Sequence, residues 1–127
     1  MAADEELLEA AREASQHAYA PYSGLNMGAA VRTERGAIFR GCNVENASYG
    51  LTSCAERNAI FAAVAAEGPE VRIHDLAIFA SAASAPPCGA CRQVLHEFGP
   101  AARVLFPVDG QVRVATAAEL LPFPFRL

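Results

Sequence analysis

Apolar residues recur along this chain with two periods, one typical of helices and one typical of strands. Residues 4–19 have helical spacing with acidic residues in the first turn, whereas residues 27–33 and 37–44 favour two strands joined by a short polar turn. The remaining pattern predicts a helix over 53–66, a strand over 71–80, a helix over 89–98, strands over 103–106 and 112–115, and a short helix from residue 116. This order predicts an α/β fold of three layers, α-β-α, with helices flanking a mixed five-stranded sheet.

The connections between these elements contain recognisable turn and capping residues. Asp109-Gly110 is a turn signal between the last two predicted strands. Thr116 and Glu119 form a candidate capping box at the start of the last helix. Because the chain has no internal repeat and no linker, we expect residues 1–127 to form a single domain.

Composition narrows the possible classes of function. Hydrophobic residues make up 53% of the chain, and burying this surplus between subunits favours an oligomer. The net charge of −4 argues against a nucleic-acid or anionic-membrane surface, because both need clustered cations. The sequence has no run of about 18 apolar residues, as a membrane span requires, and its acidic start differs from a signal peptide. We therefore expect a cytoplasmic protein whose thiols stay reduced.

Three of the four cysteines have the spacing of a metal site. Cys88 and Cys91 are three residues apart at a predicted helix start, so both thiols face the same side. Cys54 stands at another predicted helix start, and helix N-termini favour the thiolate form that binds metal. Three protein ligands leave a tetrahedral zinc with one open position, so the pattern predicts a zinc hydrolase with Glu56 beside the metal.

Other interpretations of these residues stay open at this point. Cys88 and Cys91 alone match a thioredoxin-like redox pair, although such a pair would not explain Cys54. Ser53 and Glu56 match a capping box, in which the carboxylate would bind the backbone instead of serving chemistry. Cys54 and Glu56 can address one ion only if Cys54 lies at the cap, before regular helical dihedrals begin.

The fourth cysteine and the histidines give weaker signals. Cys42 lies in a predicted strand, where a cysteine is more often a buried small hydrophobe than a ligand. If Cys42 did bind, four thiolates would close the site and the zinc would be structural. His17, His74 and His96 have no metal-ligand spacing to any other residue.

The charge of a three-thiolate zinc site calls for compensation. Such a site carries a net negative formal charge, which weakens the acidification of a bound water. The two helix N-termini offset part of this charge, and a guanidinium donating to the sulfurs offsets more. Arg57 is the candidate for that donor, and Arg92 is a weaker alternative.

The segments around these residues resemble a known family. Cys54-Ala55-Glu56 together with Pro87-Cys88-Gly89-Ala90-Cys91 is similar to the cytidine deaminases, specifically the small, three-cysteine, homotetrameric type that acts on nucleosides. The resemblance covers nearly the whole chain, since residues 19–23, 28–30, 41–49, 91–95 and 119–122 also match family segments in family order.

The resemblance implies an activity and a cofactor. It implies hydrolytic deamination of cytidine or deoxycytidine to uridine or deoxyuridine plus ammonia, with one Zn²⁺ per subunit held by Cys54, Cys88 and Cys91. Glu56 would act first as the base toward the attacking water and then as the acid toward N3 and the departing amine. The implied partners are a small nucleoside and neighbouring copies of the chain in a homotetramer.

The resemblance also implies which residues bind the substrate. Asn43 and Glu45 would hydrogen-bond the ribose, chiefly its 3′-hydroxyl. Ala55 would contribute its backbone to the base. Ala47 and Tyr49 would belong to a loop that reaches into a neighbouring subunit's site.

The chain departs from the family pattern at Leu25. Many relatives have a phenylalanine there that packs on the pyrimidine, and leucine keeps an apolar wall but loses stacking worth about 1 kcal/mol. The preferred base therefore stays open, and a related class deaminates the antibiotic blasticidin S with a similar zinc site. The intact segment 43–47 favours an ordinary nucleoside. Either Phe123 or Phe125 lies where a family aromatic approaches an adjoining active site.

Overall fold

The computed structural model describes residues 2–127, which form five strands and four α-helices with one 3-10 turn. In chain order the elements are α1 (Ala2–Ser15), β1 (Met27–Thr33), β2 (Ile38–Cys42), the 3-10 turn (Tyr49–Leu51), α2 (Ala55–Glu67), β3 (Ile73–Ala80), α3 (Gly89–Phe98), β4 (Arg103–Val108), β5 (Gln111–Thr116) and α4 (Ala117–Leu120). Among these residues, no helix is both long enough and apolar enough to traverse a bilayer.

The strands form one mixed sheet in the order β2-β1-β3-β4-β5. Strand β1 is antiparallel to both of its neighbours, β3 and β4 are parallel, and β4 and β5 are antiparallel. The parallel pair is joined through α3, as a crossover connection requires. Asp109 and Gly110 both have positive φ in the β4–β5 turn, which suits a tight hairpin.

Alternating side chains of the strands build a core on each face of the sheet. On one face, Leu7 and Ala11 of α1 pack with residues that include Ala30 and Leu105. On the other face, α2 and α3 cover a larger cluster whose fully buried members include Ala29, Val31, Ile60, Leu76 and Val104. The predicted fold class, a three-layer α/β arrangement around a mixed five-stranded sheet, is therefore confirmed.

Two glycines allow the helices to approach the sheet closely. A Cβ on Gly28 would lie 1.9 Å from the carbonyl oxygen of Ala11 in α1. A Cβ on Gly41 would lie 2.4 Å from the backbone nitrogen of Ala59 in α2. Both distances are shorter than any van der Waals contact, so each contact between helix and sheet needs a residue without a side chain.

Two element ends differ from the prediction for a shared reason. Helix α1 ends at Ser15 instead of continuing to Tyr19, and β2 ends at Cys42 instead of Val44. Tyr19 and Val44 form an isolated parallel bridge, and Val44 forms a second bridge with Ser53. Long-range backbone pairing thus overrides the local pattern. The predicted capping box between Thr116 and Glu119 is present.

Candidate active site

The three predicted metal ligands come together at the N-termini of two helices. Cys54 immediately precedes α2, Cys88 immediately precedes α3, and Cys91 lies in the first turn of α3. The sulfur of Cys88 is 4.0 Å from that of Cys54 and 3.5 Å from that of Cys91. Within residues 2–127 these are the one group of three His, Cys, Asp or Glu side chains whose ligand atoms lie within 4.8 Å of one another.

The backbone at the two caps frees the thiols for this arrangement. Cys54 has φ −74° and ψ 151°, and Cys88 has φ −69° and ψ 169°, so both residues are extended and lie outside the helices that they begin. Neither side chain caps its helix by a hydrogen bond. The geometric condition set by the sequence is met, because Cys54 lies at the cap while Glu56 is already in the first turn of α2.

The sulfur triangle fits a tetrahedral zinc ion. Sulfurs bound at about 2.3 Å to one tetrahedral zinc lie about 3.8 Å apart, close to the separations of 3.5 and 4.0 Å observed here. Cys91 is buried, Cys54 is half-buried and Cys88 is exposed. The triangle is therefore accessible from one side, which leaves room for a fourth ligand.

The two arginines near the cysteines have different partners. The Nη2 of Arg57 donates to the sulfur of Cys54 at 3.3 Å, which is the contact that the charge argument predicted. Arg92, the weaker alternative, donates instead to the carbonyl oxygens of Pro87 at 2.7 Å and Leu120 at 3.0 Å. Arg92 therefore supports the backbone next to the cysteines, whereas Arg57 places positive charge at a sulfur.

Hydrogen bonding and charge give two of the thiols opposite pKa shifts. The hydrogen bond with Cys91, followed by that with the Arg57 guanidinium, lowers the pKa of Cys54 to about 5. The same sulfur–sulfur hydrogen bond, together with burial, raises the pKa of Cys91. Zinc binds the thiolate form, so metal binding must release the proton of any ligand thiol that still carries one.

Glu56 has the properties of a group that acts on a bound molecule. The residue is 3% exposed, and its Oε1 is buried without a hydrogen-bond partner among residues 2–127. Burial, and after it the negative charge at Cys54, raises the pKa of this carboxyl. The Glu56 charge in turn contributes, after the hydrogen bond with Cys54 and burial, to the raised pKa of Cys91. Unpartnered buried oxygens are costly and concentrate at functional sites.

The alternative role of Glu56 as half of a capping box is not observed. The cap residue of α2 is Cys54, not Ser53. The Ser53 hydroxyl donates to Oδ1 of Asn58 at 2.7 Å, so it is engaged away from the backbone of the helix. The carboxyl of Glu56 is thereby left available for chemistry.

Asn43 and Glu45, expected to contact a ribose, bind the chain's own backbone. Asn43 is buried, accepts from the Met27 amide at 2.9 Å and donates to the Leu25 carbonyl at 2.8 Å. The Oε1 of Glu45 accepts from the amides of Tyr22 at 2.9 Å and Ser23 at 3.1 Å, and the Ser23 hydroxyl donates to Oε2. The Ser23 hydroxyl above all, and then the two amides, lowers the pKa of Glu45.

The other expected substrate residues lie in two different environments. Ala55 is buried as the first residue of α2, whereas Leu25 is 46% exposed. Ala47 and Tyr49 lie on the exposed loop between β2 and α2. The Tyr49 ring packs edge-on against Tyr22 with centroids 6.2 Å apart.

A cleft brings part of this second set together. It has a volume of about 270 Å³ and is lined by Tyr22, Ser23, Glu45, Asn46, Tyr49 and Thr52. Glu45 and Tyr49 thus share one opening, and Leu25, Ala47 and Ala55 are not among its lining residues.

Cys42 lies outside the sulfur triangle, at the end of β2. Its carbonyl oxygen accepts from Nδ2 of Asn58 at 2.8 Å. No sequence pattern singled out Asn58, although an asparagine in the first turns of a helix is a common sign of side-chain bonding to nearby backbone.

Comparison with known proteins extends the match beyond the cysteines. Residues 1–107 match the family model of the cytidine and deoxycytidylate deaminase zinc-binding region. The chain is 42% identical over 121 residues to the cytidine deaminase of Halalkalibacterium halodurans, covering 94% of this chain and 91% of that protein. It superposes on the crystal structure of cytidine deaminase from Burkholderia pseudomallei with a TM-score of 0.87 and 47% identity, over 95% of this chain and 98% of the other. Identity to the blasticidin-S deaminase of Bacillus cereus is lower, 29% over 129 residues, with 96% of this chain and 91% of that protein covered.

Proposed function

The chain belongs to the cytidine and deoxycytidylate deaminase family, and we propose that it hydrolyses the exocyclic amine of cytidine or deoxycytidine. One water is consumed, and the products are uridine or deoxyuridine and ammonia. The observation that carries this proposal is the convergence of three sulfurs beside a buried carboxyl that has an unpartnered oxygen. The lower identity to a blasticidin-S deaminase favours an ordinary nucleoside as the substrate.

The proposed cofactor is one zinc ion per subunit, held by Cys54, Cys88 and Cys91. The sulfur separations of 3.5 and 4.0 Å and the guanidinium of Arg57 at the Cys54 sulfur support this choice. When bound there, zinc would supply Lewis acidity that brings the pKa of a water toward neutrality. Below, Cys54, Cys88, Cys91 and Glu56 are called the metal half of the site.

Glu56 is the proposed acid and base of the reaction. Its carboxylate takes a proton from the water that attacks C4 of the pyrimidine and gives that proton to N3. It then takes the remaining proton of the added hydroxyl as the C4 carbonyl forms and gives it to the departing amine, which leaves as ammonia. A pKa raised by burial suits this double role, because a carboxyl of higher pKa holds the transferred proton more readily.

Asn43 and Glu45 are the proposed ribose-binding residues and are called the sugar half below. An asparagine amide can make four hydrogen bonds, and two are used within the chain, so donor and acceptor capacity remains for a hydroxyl. The carboxylate of Glu45 keeps acceptor capacity at Oε2. Leu25 is the proposed apolar wall for the base, and the backbone of Ala55 is a proposed base contact.

We also propose a cytoplasmic homotetramer in which residues 1–127 form a single catalytic domain in each subunit. Support comes from large apolar side chains exposed around the sugar half, namely Tyr19, Tyr22, Leu25, Val44, Tyr49 and Leu51. Tyr49 is 77% exposed, and large apolar patches at a surface mark interaction sites between proteins. Ala47 and Tyr49 are the proposed contacts to a neighbouring site, and light scattering behind size exclusion gives the subunit number.

The test is a cytidine assay and a zinc determination on the same sample. We expect loss of the cytosine absorbance and one zinc per chain in the wild type. Cys88→Ser should lose both zinc and activity, whereas the matched variant Cys42→Ser should keep both. Full turnover by zinc-free protein would overturn the metal mechanism. If Cys42→Ser loses zinc and the wild type does not deaminate cytidine, the site is a structural four-cysteine zinc site. If zinc-free protein forms a reversible Cys88–Cys91 disulfide, the protein is a redox protein.

A further inference from the structure

Asn58 connects the segment that leads into Asn43 with the segment that leads into Cys54. On α2 its backbone amide donates to the Cys54 carbonyl at 3.1 Å. Its side chain uses both ends, because Nδ2 donates to the Cys42 carbonyl at 2.8 Å and Oδ1 accepts from the Ser53 hydroxyl at 2.7 Å. We propose that Asn58 is a positioning residue that fixes the sugar half of the site relative to the metal half. This inference rests on the proposed function.

The two side-chain contacts reach the residues that immediately precede one group of each half. Cys42 comes directly before Asn43, and Ser53 comes directly before Cys54. The contact with the Cys42 carbonyl constrains the peptide that leads into Asn43, and the contact with the Ser53 hydroxyl anchors the residue that precedes Cys54. Within residues 2–127, Asn58 is the single side chain that hydrogen-bonds both of these residues.

A short backbone pairing next to Asn58 is too small to fix this geometry alone. The amide of Val44 donates to the Ser53 carbonyl at 3.0 Å, and the amide of Ser53 donates to the Val44 carbonyl at 2.9 Å. This isolated bridge involves one residue pair and lies outside the five-stranded sheet. A single residue pair constrains the two segments less than an extended ladder would, and the Asn58 carboxamide adds a second anchor at Cys42.

A purely structural role would be to hold α2 against the sheet. The other end of α2 has a contact of that kind, since the Thr33 hydroxyl donates to Oε2 of Glu67 at 2.8 Å. Thr33 is buried in β1, and its partner Glu67 is the last residue of α2, whereas Cys54 precedes the first residue of α2. Thr33→Val removes that hydrogen bond with nearly unchanged shape, so it is the matched control for loss of a side-chain anchor on α2.

The experiment compares Asn58→Ala, Asn58→Asp and Thr33→Val by zinc content, melting temperature, kcat and KM for cytidine, and calorimetric binding of uridine. Asn58→Ala should keep zinc but lower kcat/KM by about 10²-fold, the effect of misplacing bound reactants by roughly an ångström. Asn58→Asp should reproduce most of that loss, because it keeps the acceptor for Ser53 but loses the donor to Cys42. Thr33→Val should keep the wild-type kcat/KM.

A double-mutant cycle with Asn43→Ala separates positioning from general destabilisation. If Asn58 acts through Asn43, adding Asn58→Ala to Asn43→Ala should cost little further in KM or in uridine affinity. Equal losses with and without Asn43 would overturn the inference. So would a Thr33→Val variant that matches Asn58→Ala in both melting temperature and kinetic loss.

The uridine titration distinguishes failure of this inference from failure of the proposed function. Wild-type protein that binds uridine but does not deaminate cytidine would overturn the function, and the inference would then be decided by uridine affinity alone. Should Asn58→Ala fail to fold, the milder Asn58→Asp and Ser53→Ala variants decide it, each removing one of the two side-chain contacts. Wild-type protein that binds no nucleoside would overturn both proposals.

Discussion

In the metal half of the site the functional side chains do not hold the backbone of the chain, whereas in the sugar half they do. The thiols of Cys54 and Cys88 cap no backbone, and Oε1 of Glu56 has no partner in residues 2–127. By contrast, Asn43 and Glu45 each bind two backbone groups of the segment 22–27.

The two halves of the site therefore differ in how they affect the stability of the fold. Free polar atoms in a buried site are unfavourable for stability, and they persist because the surrounding helices hold them in place. The sugar half instead helps to hold a surface loop, so its residues serve folding and binding together. Substitutions in the metal half should therefore affect chemistry or metal selectively, and substitutions in the sugar half should also loosen the loop.

The largest expected effect is that of Glu56→Gln. Removing the proton acceptor while keeping the shape should lower kcat by about 10⁴-fold or more, with zinc content and uridine affinity retained. Glu97→Gln makes the same chemical change at an exposed position on α3 and should be silent. Stopped assays over hours measure kcat, metal analysis measures zinc content, and calorimetry measures uridine affinity. Near-normal turnover by Glu56→Gln would remove the carboxyl from the mechanism.

Arg57 tests how charge supports the metal half. Arg57→Ala removes the donor at the Cys54 sulfur and should weaken zinc binding by about 10- to 100-fold, as loss of contacts around metal ligands commonly does. Arg57→Lys keeps the charge without the planar fork, so its loss should be smaller. Zinc transfer to a coloured chelator gives the rates, with exposed Arg113→Ala as the control. Equal rates in all four proteins would contradict a role for this guanidinium.

Glu45→Gln should show the double role of the sugar half. We expect KM for cytidine to rise on the order of tenfold, the effect of losing one charge-assisted hydrogen bond, with kcat little changed. The amides of Tyr22 and Ser23 should also exchange with solvent faster, since Glu45 is their acceptor. Steady-state kinetics measure the change in KM, and hydrogen exchange measures the loosening of the loop. A raised KM with unaltered exchange would show that Glu45 binds the substrate but does not hold the loop.

The same carboxylate gives a pH dependence of known sign. Because the folded pKa of Glu45 lies below its ordinary value of 4.5, its stabilising contacts are fully present above that value and are lost as the pH falls through the lowered pKa. Protection of the Tyr22 and Ser23 amides should thus be constant from neutral pH down to about 5 and decrease only in stronger acid. The Glu45→Gln variant should lack this acid transition.

The smallest expected effect is that of Leu25→Phe. Leu25 is half-exposed beside the sugar half, and a ring there can stack on a pyrimidine for about 1 kcal/mol, or roughly fivefold in KM. Leu25→Met adds flexible apolar surface without a ring and should leave KM close to that of the wild type. A higher KM in the phenylalanine variant would show that the base does not pack at this position.

The metal half was predictable from sequence because its signals are local. Cys88 and Cys91 are related by one helical turn, and the condition that Cys54 lie at a cap follows from helix geometry. The sequence also contains the information that Arg57 can reach the Cys54 sulfur, since the two are three residues apart near one helix start. These three relations depend on neighbours along the chain, whereas the approach of Cys54 to Cys88 on another helix depends on tertiary packing.

The sugar half and the connections around it depend on distant pairings that no periodicity reveals. The contacts of Asn43 with the 25–27 segment join residues that are far apart in the sequence, and the contact of Arg92 with the Leu120 carbonyl does the same. The unexpected ends of α1 and β2 arise from the bridge between Tyr19 and Val44. Local propensity predicted these elements, and tertiary pairing decided where they stop.

The missing side chain at Gly41 has a consequence for the architecture of catalysis. Because α2 touches β2 at that point, the depth of the helix over the strand is fixed by backbone against backbone. Glu56 is mounted on this helix, and Asn43 follows two residues after Gly41 on the polypeptide that leaves the strand. The close backbone contact at Gly41 thus helps to set the distance between Glu56 and Asn43. A methyl group at Gly41 would push α2 away from β2 and change this distance without contacting either side chain.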